Sequence, residues 1–174
     1  MVIERDKRPS DEQSDRERLR RLLNLRELTT SREAYLVVNQ RGDLAEACGA
    51  DGVHLPENGL PTSTLRTLSP SLWVGRSCHS RVGLLEAEEN GADWAFLSPI
   101  DRPISKNSDL PTIGVQGFAS MIESIKIPIY ALGGIKDTHV DPLVTNGAAG
   151  VAVIGHVLGA EDPHLAVRKL LGDC

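Results

Sequence analysis

The chain is poor in aromatic residues, poor in cysteine, without a surplus of positive charge and without a long apolar run. It carries two Trp, two Tyr and two Phe among 174 residues, with a net charge of −5. Nucleic-acid binding needs cations to displace counterions and rings on which bases stack. Neither is supplied here, so no nucleic-acid partner is expected. The three cysteines, Cys48, Cys78 and Cys174, are odd in number and widely separated. They form neither a disulfide framework nor a pair with metal-ligand spacing, which predicts a reduced, cytoplasmic protein. No stretch approaches the ~20 apolar residues of a membrane span. The N-terminal stretch from Glu4 to Arg21 is charged, unlike the apolar segment of a secretory leader.

What the sequence does contain is a repeat. Three times a helix-like segment runs into glycine and alanine and then a short β-prone run: Gly49-Ala50-Asp51-Gly52-Val53-His54-Leu55, Gly91-Ala92-Asp93-Trp94-Ala95-Phe96-Leu97 and Gly147-Ala148-Ala149-Gly150-Val151-Ala152-Val153-Ile154. Glycine closes a helix because it adopts the left-handed conformation without a Cβ penalty. Short apolar runs suit strands covered on both faces. The pattern predicts a parallel α/β protein with its ligand site where strands feed into the following loops.

Strands are expected at Val2–Arg5, Tyr35–Asn39, Val53–Leu55, from Leu72–Gly75, at Trp94–Leu97, Pro128–Leu132 and Val151–Ile154. Helices are expected at 11–29, with Ser10 as N-cap, and at Asp43–Cys48, Pro61–Leu68, His79–Asn90, Val115–Ile125, Asp137–Asn146 and Pro163–Leu171. Ser98–Ile113 is the longest stretch without an element and a candidate active-site flap. The count is seven strands and seven helices in one domain, 1–174. That is one unit short of a (β/α)₈ barrel, which usually takes roughly 200 residues or more.

Gly133-Gly134 follows a strand and precedes a helix, and the last strand ends in Ile154-Gly155. Such loops bind phosphate on backbone N–H groups in barrels, or simply make tight turns. Arg5 and Lys7, two apart at a strand end, point to one side, as an anion clamp or as part of a solvated charge run. Ser77 and His79 follow a strand, and Lys106 lies in the long flap.

Together Leu36-Val37-Val38-Asn39, Gly49 to Leu55, Gly75-Arg76-Ser77-Cys78-His79-Ser80, Gly91-Ala92-Asp93, Leu97-Ser98-Pro99, Ile127 to Ile135 and Gly147 to Ala152 resemble the thiamine-phosphate synthase/TenI family. The spellings Ser77-Cys78-His79, Leu97-Ser98-Pro99 and Tyr130 to Gly134 are most similar to the TenI-type domain attached to some bacterial Nudix hydrolases. The resemblance implies a TIM (β/α)₈-type barrel, incomplete here, with the first β/α unit missing because Val2–Arg5 aligns with the second strand. A homo-oligomer or a Nudix partner would cover the gap.

The resemblance also implies thiamine biosynthesis or salvage. The synthase joins hydroxymethylpyrimidine diphosphate to thiazole phosphate and releases pyrophosphate, with Mg²⁺ assisting. The diphosphate would be held by Arg5, Lys7, Asn39, Ser77 and Lys106, and the thiazole phosphate by backbone near Gly133, Gly134, Ile154 and Gly155. Lys106, Ser77 and His79 are the candidate catalytic residues. The family's two metal aspartates fall at Gln40 and Gly59, so Mg²⁺ is expected from the family with its ligands replaced, and no metal ligand is assigned. Two alternatives to the synthase are a non-catalytic thiazole phosphate-binding or regulatory domain and a tautomerase-like isomerase using His79. In the tautomerase the family's histidine falls at Pro99.

Overall fold

Alternation along the strands decides which side chains meet helices and which are left to line the opposite face of the sheet. A computed structural model describes residues 1–6, 14–102 and 110–172. Seven strands lie among them: β1 (Val2–Glu4), β2 (Leu36–Asn39), β3 (Gly52–Leu55), β4 (Trp73–Cys78), β5 (Trp94–Leu97), β6 (Ile129–Leu132) and β7 (Gly150–Ala152). The helices among the described residues are α1 (Asp15–Thr30), α2 (Gly42–Cys48), α3 (Thr62–Leu68), α4 (Arg81–Glu89), α5 (Gly114–Ile122), α6 (Asp137–Thr145), α7 (Gly155–Leu158) and α8 (Pro163–Leu171). The backbone groups into two compact units, Met1–Arg76 with Asn90–Asp93, and Ser77–Glu89 with Trp94 onward.

In the first unit β1, β2, β3 and β4 are parallel neighbours in chain order. Leu36 and Val38 of β2 pack with Leu22, Leu44, Ala45, Cys48 and Leu72. Val53 and Leu55 of β3 pack with Leu65 of α3 and Val74 of β4. Burying each such side chain contributes about 1.5–3 kcal/mol. The alternate residues, Val37 and Asn39 on β2 and Gly52 and His54 on β3, therefore face away from these helices.

In the second unit β5, β6 and β7 are again parallel and in chain order. Every residue of β5 is buried, whereas all three residues of β7 are only partly so. Leu84 of α4, Phe118 of α5 and Leu143 of α6 are fully buried.

The repeat has a clear structural basis. Gly49, Gly91 and Gly147 have φ of +65°, +80° and +95°, the left-handed closure expected of them. The aspartate that follows adds a second device. Asp51 Oδ2 accepts the Leu36 N–H at 2.8 Å and pairs with Arg26 at 2.7 Å. Asp93 Oδ2 likewise accepts the Val74 N–H at 2.6 Å and pairs with Arg66. Each carboxylate thus fixes the start of the preceding strand. The third copy has Ala149 there and keeps only the backbone bond, from its N–H to the Ile129 carbonyl at 2.8 Å.

Several boundaries differ from expectation. Helix α1 begins at Asp15 with Ser14 as its N-cap, accepting the Glu17 N–H at 3.3 Å; Ser10 lies outside the described residues. Strand β4 runs on through Ser77 to Cys78, and α4 starts at Arg81, because the Ser80 hydroxyl accepts the Gly83 N–H at 3.1 Å. His79 is therefore outside the helix in which it was expected. Strand β7 ends at Ala152, and the extra one-turn helix α7 takes Ile154 as its N-cap.

Candidate functional site

In the first unit the strand ends carry one continuous row. The register pairs Asn39 with His54 and His54 with Gly75. It also pairs Glu4 with Val38, so Arg5 follows β1 level with Asn39. Glu4 shares the face of Val38 and turns to α1, where Arg18 binds both its oxygens at 2.8 and 3.2 Å and also donates to the Asn39 carbonyl at 3.1 Å. Asp6 pairs with Arg21 of the same helix at 2.6 Å. The charge run at the start of the chain is thereby sorted. Its two acids are bound to α1, while Arg5 is exposed and has no carboxylate partner among the described residues. Lys7 lies outside those residues.

Beside Arg5 and Asn39 stands a residue the sequence did not single out. His54 is buried at 6% exposure. Burial first, and the charges of Arg5 and Arg76 second, lower its pKa from 6.5 to about 4. The imidazole is therefore neutral at physiological pH. Arg76 in turn donates to the carbonyls of Leu60 and Glu57, at 2.5 and 2.7 Å, and so holds the loop after β3.

That loop contains Gly59, whose N–H donates to the Pro56 carbonyl at 2.9 Å. A Cβ at 59 would lie 2.9 Å from Pro56 Cδ. Gln40, the other position at which the resemblance places a family aspartate, has φ +66°. The next acid along, Asp43, is bound by Arg41 at 2.6 Å together with Asp15. The Arg41 guanidinium holds both carboxyls below the usual carboxylate range. Among the described residues no three His, Cys, Asp or Glu converge as metal ligands. A neutral amide and a glycine do not match the carboxylate oxygens that Mg²⁺ prefers, so the donor set does not fit that ion.

In the second unit Ser77 is the partly buried penultimate residue of β4, and His79 directly follows the strand. His79 Nδ1 lies 2.7 Å from the Ser98 carbonyl and 3.2 Å from the Ser98 hydroxyl. A carbonyl only accepts, so the proton sits on Nδ1, and in the neutral ring Nε2 bears the lone pair. Lys106 lies outside the described residues. The two ends of the expected flap are zipped together, Ile113 N–H to the Pro99 carbonyl at 2.9 Å and Gly114 N–H to the Ile100 carbonyl at 3.0 Å.

Gly133 and Gly134, with φ of +91° and +68°, carry β6 into α6. Ile100 N–H donates to the Leu132 carbonyl and Asp101 N–H to the Gly133 carbonyl, both at 3.0 Å. A Cβ on Gly134 would collide with the backbone of Asp101. The glycine pair is thus required both for its left-handed turn and for close packing. Among the described residues the N–H groups of Gly134 and Ile135 find no acceptor. Lys136 follows directly, its Nζ 3.7 Å from Asp101 Oδ2. After β7, Ile154 and Gly155 begin α7, whose first-turn N–H groups have no intrahelical acceptor.

The structure thus groups Arg5 with Asn39 in one row, and places Gly133 and Gly134, and Ile154 and Gly155, at the ends of neighbouring strands. His79 meets Ser98, which sequence reasoning had passed over, as it had His54, Arg76 and Asp101.

Comparison with known proteins agrees with the motifs. A family model described as thiamine monophosphate synthase matches residues 1–157. The thiamine-phosphate synthase of Pyrococcus furiosus is 37% identical over 146 residues, 84% of this chain and 70% of its own length. That of Caldicellulosiruptor bescii is 32% identical over 156 residues, 89% and 71% of the two chains. The solved structure of thiamine phosphate pyrophosphorylase from Pyrococcus furiosus matches with a TM-score of 0.85 at 33% identity, over 98% of this chain and 79% of that one. The fold class is accordingly the α/β, incomplete (β/α)₈-type architecture that seven parallel strands implied. The chain belongs to the thiamine monophosphate synthase/TenI family.

Proposed function

We propose that this chain binds thiazole phosphate as a thiamine-phosphate synthase-type protein, with the phosphate resting on backbone N–H groups at the end of β6. The observation that carries the reading is the pair of adjacent N–H groups, Gly134 and Ile135, that find no acceptor among the described residues at a strand end. Oriented N–H dipoles at such a turn form a ready anion site. The Lys136 ammonium stands next in the chain, held loosely by Asp101 across 3.7 Å, and would add charge. Gly155 and the first turn of α7 would supply further donors.

For synthase chemistry the second substrate is an organic diphosphate. Its leaving group gains negative charge as the bond to carbon breaks, and a cation fixed beside it lowers the barrier. Arg5, with its acidic neighbours bound to α1, is suited to that task, and the Asn39 amide would orient the group. Gln40 and Gly59 offer no carboxylate, so no step is derived through Mg²⁺.

A second reading, binding without turnover, is favoured by those same two residues. Titration of the purified chain with thiazole phosphate, followed by backbone amide NMR, tests the first claim. Gly134 and Ile135 resonances should move, and the unphosphorylated thiazole alcohol should bind at least tenfold more weakly. Unmoved amides at saturation would refute the cradle. Adding hydroxymethylpyrimidine diphosphate and Mg²⁺ then separates the two readings: thiamine phosphate formation excludes binding alone, and its absence with both substrates bound excludes the synthase. Turnover of a thiazole tautomer instead would assign His79 the role of base.

A further inference from the structure

We infer that His79 is a positioning residue for the turn after β6: it holds the segment Ser98–Asp101 against Gly133-Gly134 and so sets the direction of the Gly134 and Ile135 N–H groups. The inference rests on reading that turn as the phosphate site, and it gives His79 a task other than that of acid or base.

Three sets of contacts carry it, all within the second compact unit. First, the His79 Nδ1–H donates to the Ser98 carbonyl at 2.7 Å, and the hydroxyl of the same buried serine lies 3.2 Å from that nitrogen. The Ser98 N–H in turn donates to the Cys78 carbonyl at 3.2 Å. The residue directly after β5 is thus gripped on both its N–H and its C=O by the end of β4. Second, the residues that follow it run beside the end of β6. Ile100 N–H donates to the Leu132 carbonyl and Asp101 N–H to the Gly133 carbonyl, both at 3.0 Å. Third, segment and turn touch without slack. A Cβ on Gly133 would stand 3.0 Å from Pro99 Cα, and one on Gly134 would collide with the Asp101 backbone.

Closely packed atoms pass a displacement on to their neighbours. Without the Nδ1–H donor the buried Ser98 carbonyl would have to turn towards another partner, and Pro99 and Asp101 would carry the movement to the glycine pair. An anion site made of two backbone N–H groups works only while both aim at one point. A small rotation of the turn therefore weakens binding although His79 never meets the ligand. The contact is made by Nδ1, the ring nitrogen nearer the backbone. Asparagine carries its amide nitrogen at the same number of bonds from Cβ as Nδ1, whereas glutamine carries it one bond further, as Nε2 is. The two variants thus separate placement of a donor from its mere presence.

The test follows the whole chain by NMR. At about pH 8, where an imidazole is neutral, the ligand-free wild type should hold its His79 proton on Nδ1; a bare Nδ1 would overturn the proposal without any variant. His79→Ala should displace the Gly134 and Ile135 amide resonances in the absence of ligand and weaken thiazole phosphate binding about tenfold. His79→Asn should stay within about threefold of wild type, and His79→Gln should behave as His79→Ala does. Unmoved Gly134 and Ile135 amides in folded His79→Ala would overturn the proposal. So would equal affinities of His79→Ala and wild type, or rescue by glutamine in place of asparagine. A wild-type chain whose amides ignore thiazole phosphate refutes the phosphate site itself, while the tautomer and the ligand-free amide shifts still decide whether His79 governs the turn.

Discussion

Lowering of the His54 pKa from 6.5 to about 4, by burial and then by Arg5 and Arg76, has a consequence for stability whatever the ligand. The folded state keeps the ring neutral while the unfolded chain takes up a proton below pH 6.5. This contribution is fully present above that pH and is lost as pH falls towards 4. Between pH 7 and pH 4.5 the wild type should lose ~2–3 kcal/mol more than His54→Gln, read from urea unfolding at the two pH values. Equal losses in the two proteins would contradict the depressed pKa. The weakly acid window keeps this effect separate from that of Asp15 and Asp43, whose lowered carboxyl pKa values act only at lower pH. His54 was illegible in the sequence because a lone histidine inside Gly52-Val53-His54-Leu55 looks like any strand residue, and only the register aligns it with Asn39. Arg5 was legible as a candidate, but its release from the surrounding charge run was not. That depended on Arg18 and Arg21 reaching back from α1.

The Gly-Ala-Asp joints show how much an element boundary owes to one carboxylate. Asp51 and Asp93 each accept a strand N–H and bind an arginine. Removing such an acceptor leaves a backbone donor without its partner. Asp51→Ala and Asp93→Ala should each cost about 1–3 kcal/mol in urea unfolding. A loss under 0.5 kcal/mol in both, roughly that of an ordinary surface substitution, would show the bonds to be incidental. The sequence revealed the glycine that ends each helix because left-handed backbone strongly favours that residue. It revealed the terminal helix Pro163–Leu171 as well, since Asp162 and Pro163 mark its start and Gly172 its end. The one-turn α7 escaped because Gly155-His156-Val157-Leu158 is too short to show a helical period, and the start of α4 escaped because the Ser80 cap competes with an equally plausible start at His79.

Taken over all its elements, the chain carries the two proposed anion sites on separate sets of strand ends, one in each compact unit. A ligand that binds only the folded state stabilises it by mass action, by about 2.7 kcal/mol at a hundredfold excess over Kd. Thiazole phosphate at that excess should raise the melting temperature by roughly 5–10 °C. Hydrogen exchange should slow most around Leu132–Lys136, whereas pyrophosphate should protect the backbone around Arg5 and Asn39. Protection in the reverse order would exchange the two assignments. The alternation of helices and strands was readable from the sequence, because three helices end in the same Gly-Ala punctuation and short apolar runs mark the strands between them. The partners of individual side chains were not, because they depend on strand register and on arginines distant in sequence.

The loop after β3 bears on which substitutions this chain accepts. Arg76 clasps the carbonyls of Glu57 and Leu60, and Gly59 turns tightly beneath Pro56, whose ring would meet any side chain at that position. A side chain placed at 59 would thus meet a rigid ring rather than open solvent. Gly59→Asp alone should therefore lower stability, and a simultaneous change of Pro56 should recover part of the loss, so that what position 59 tolerates is set by the residue at 56.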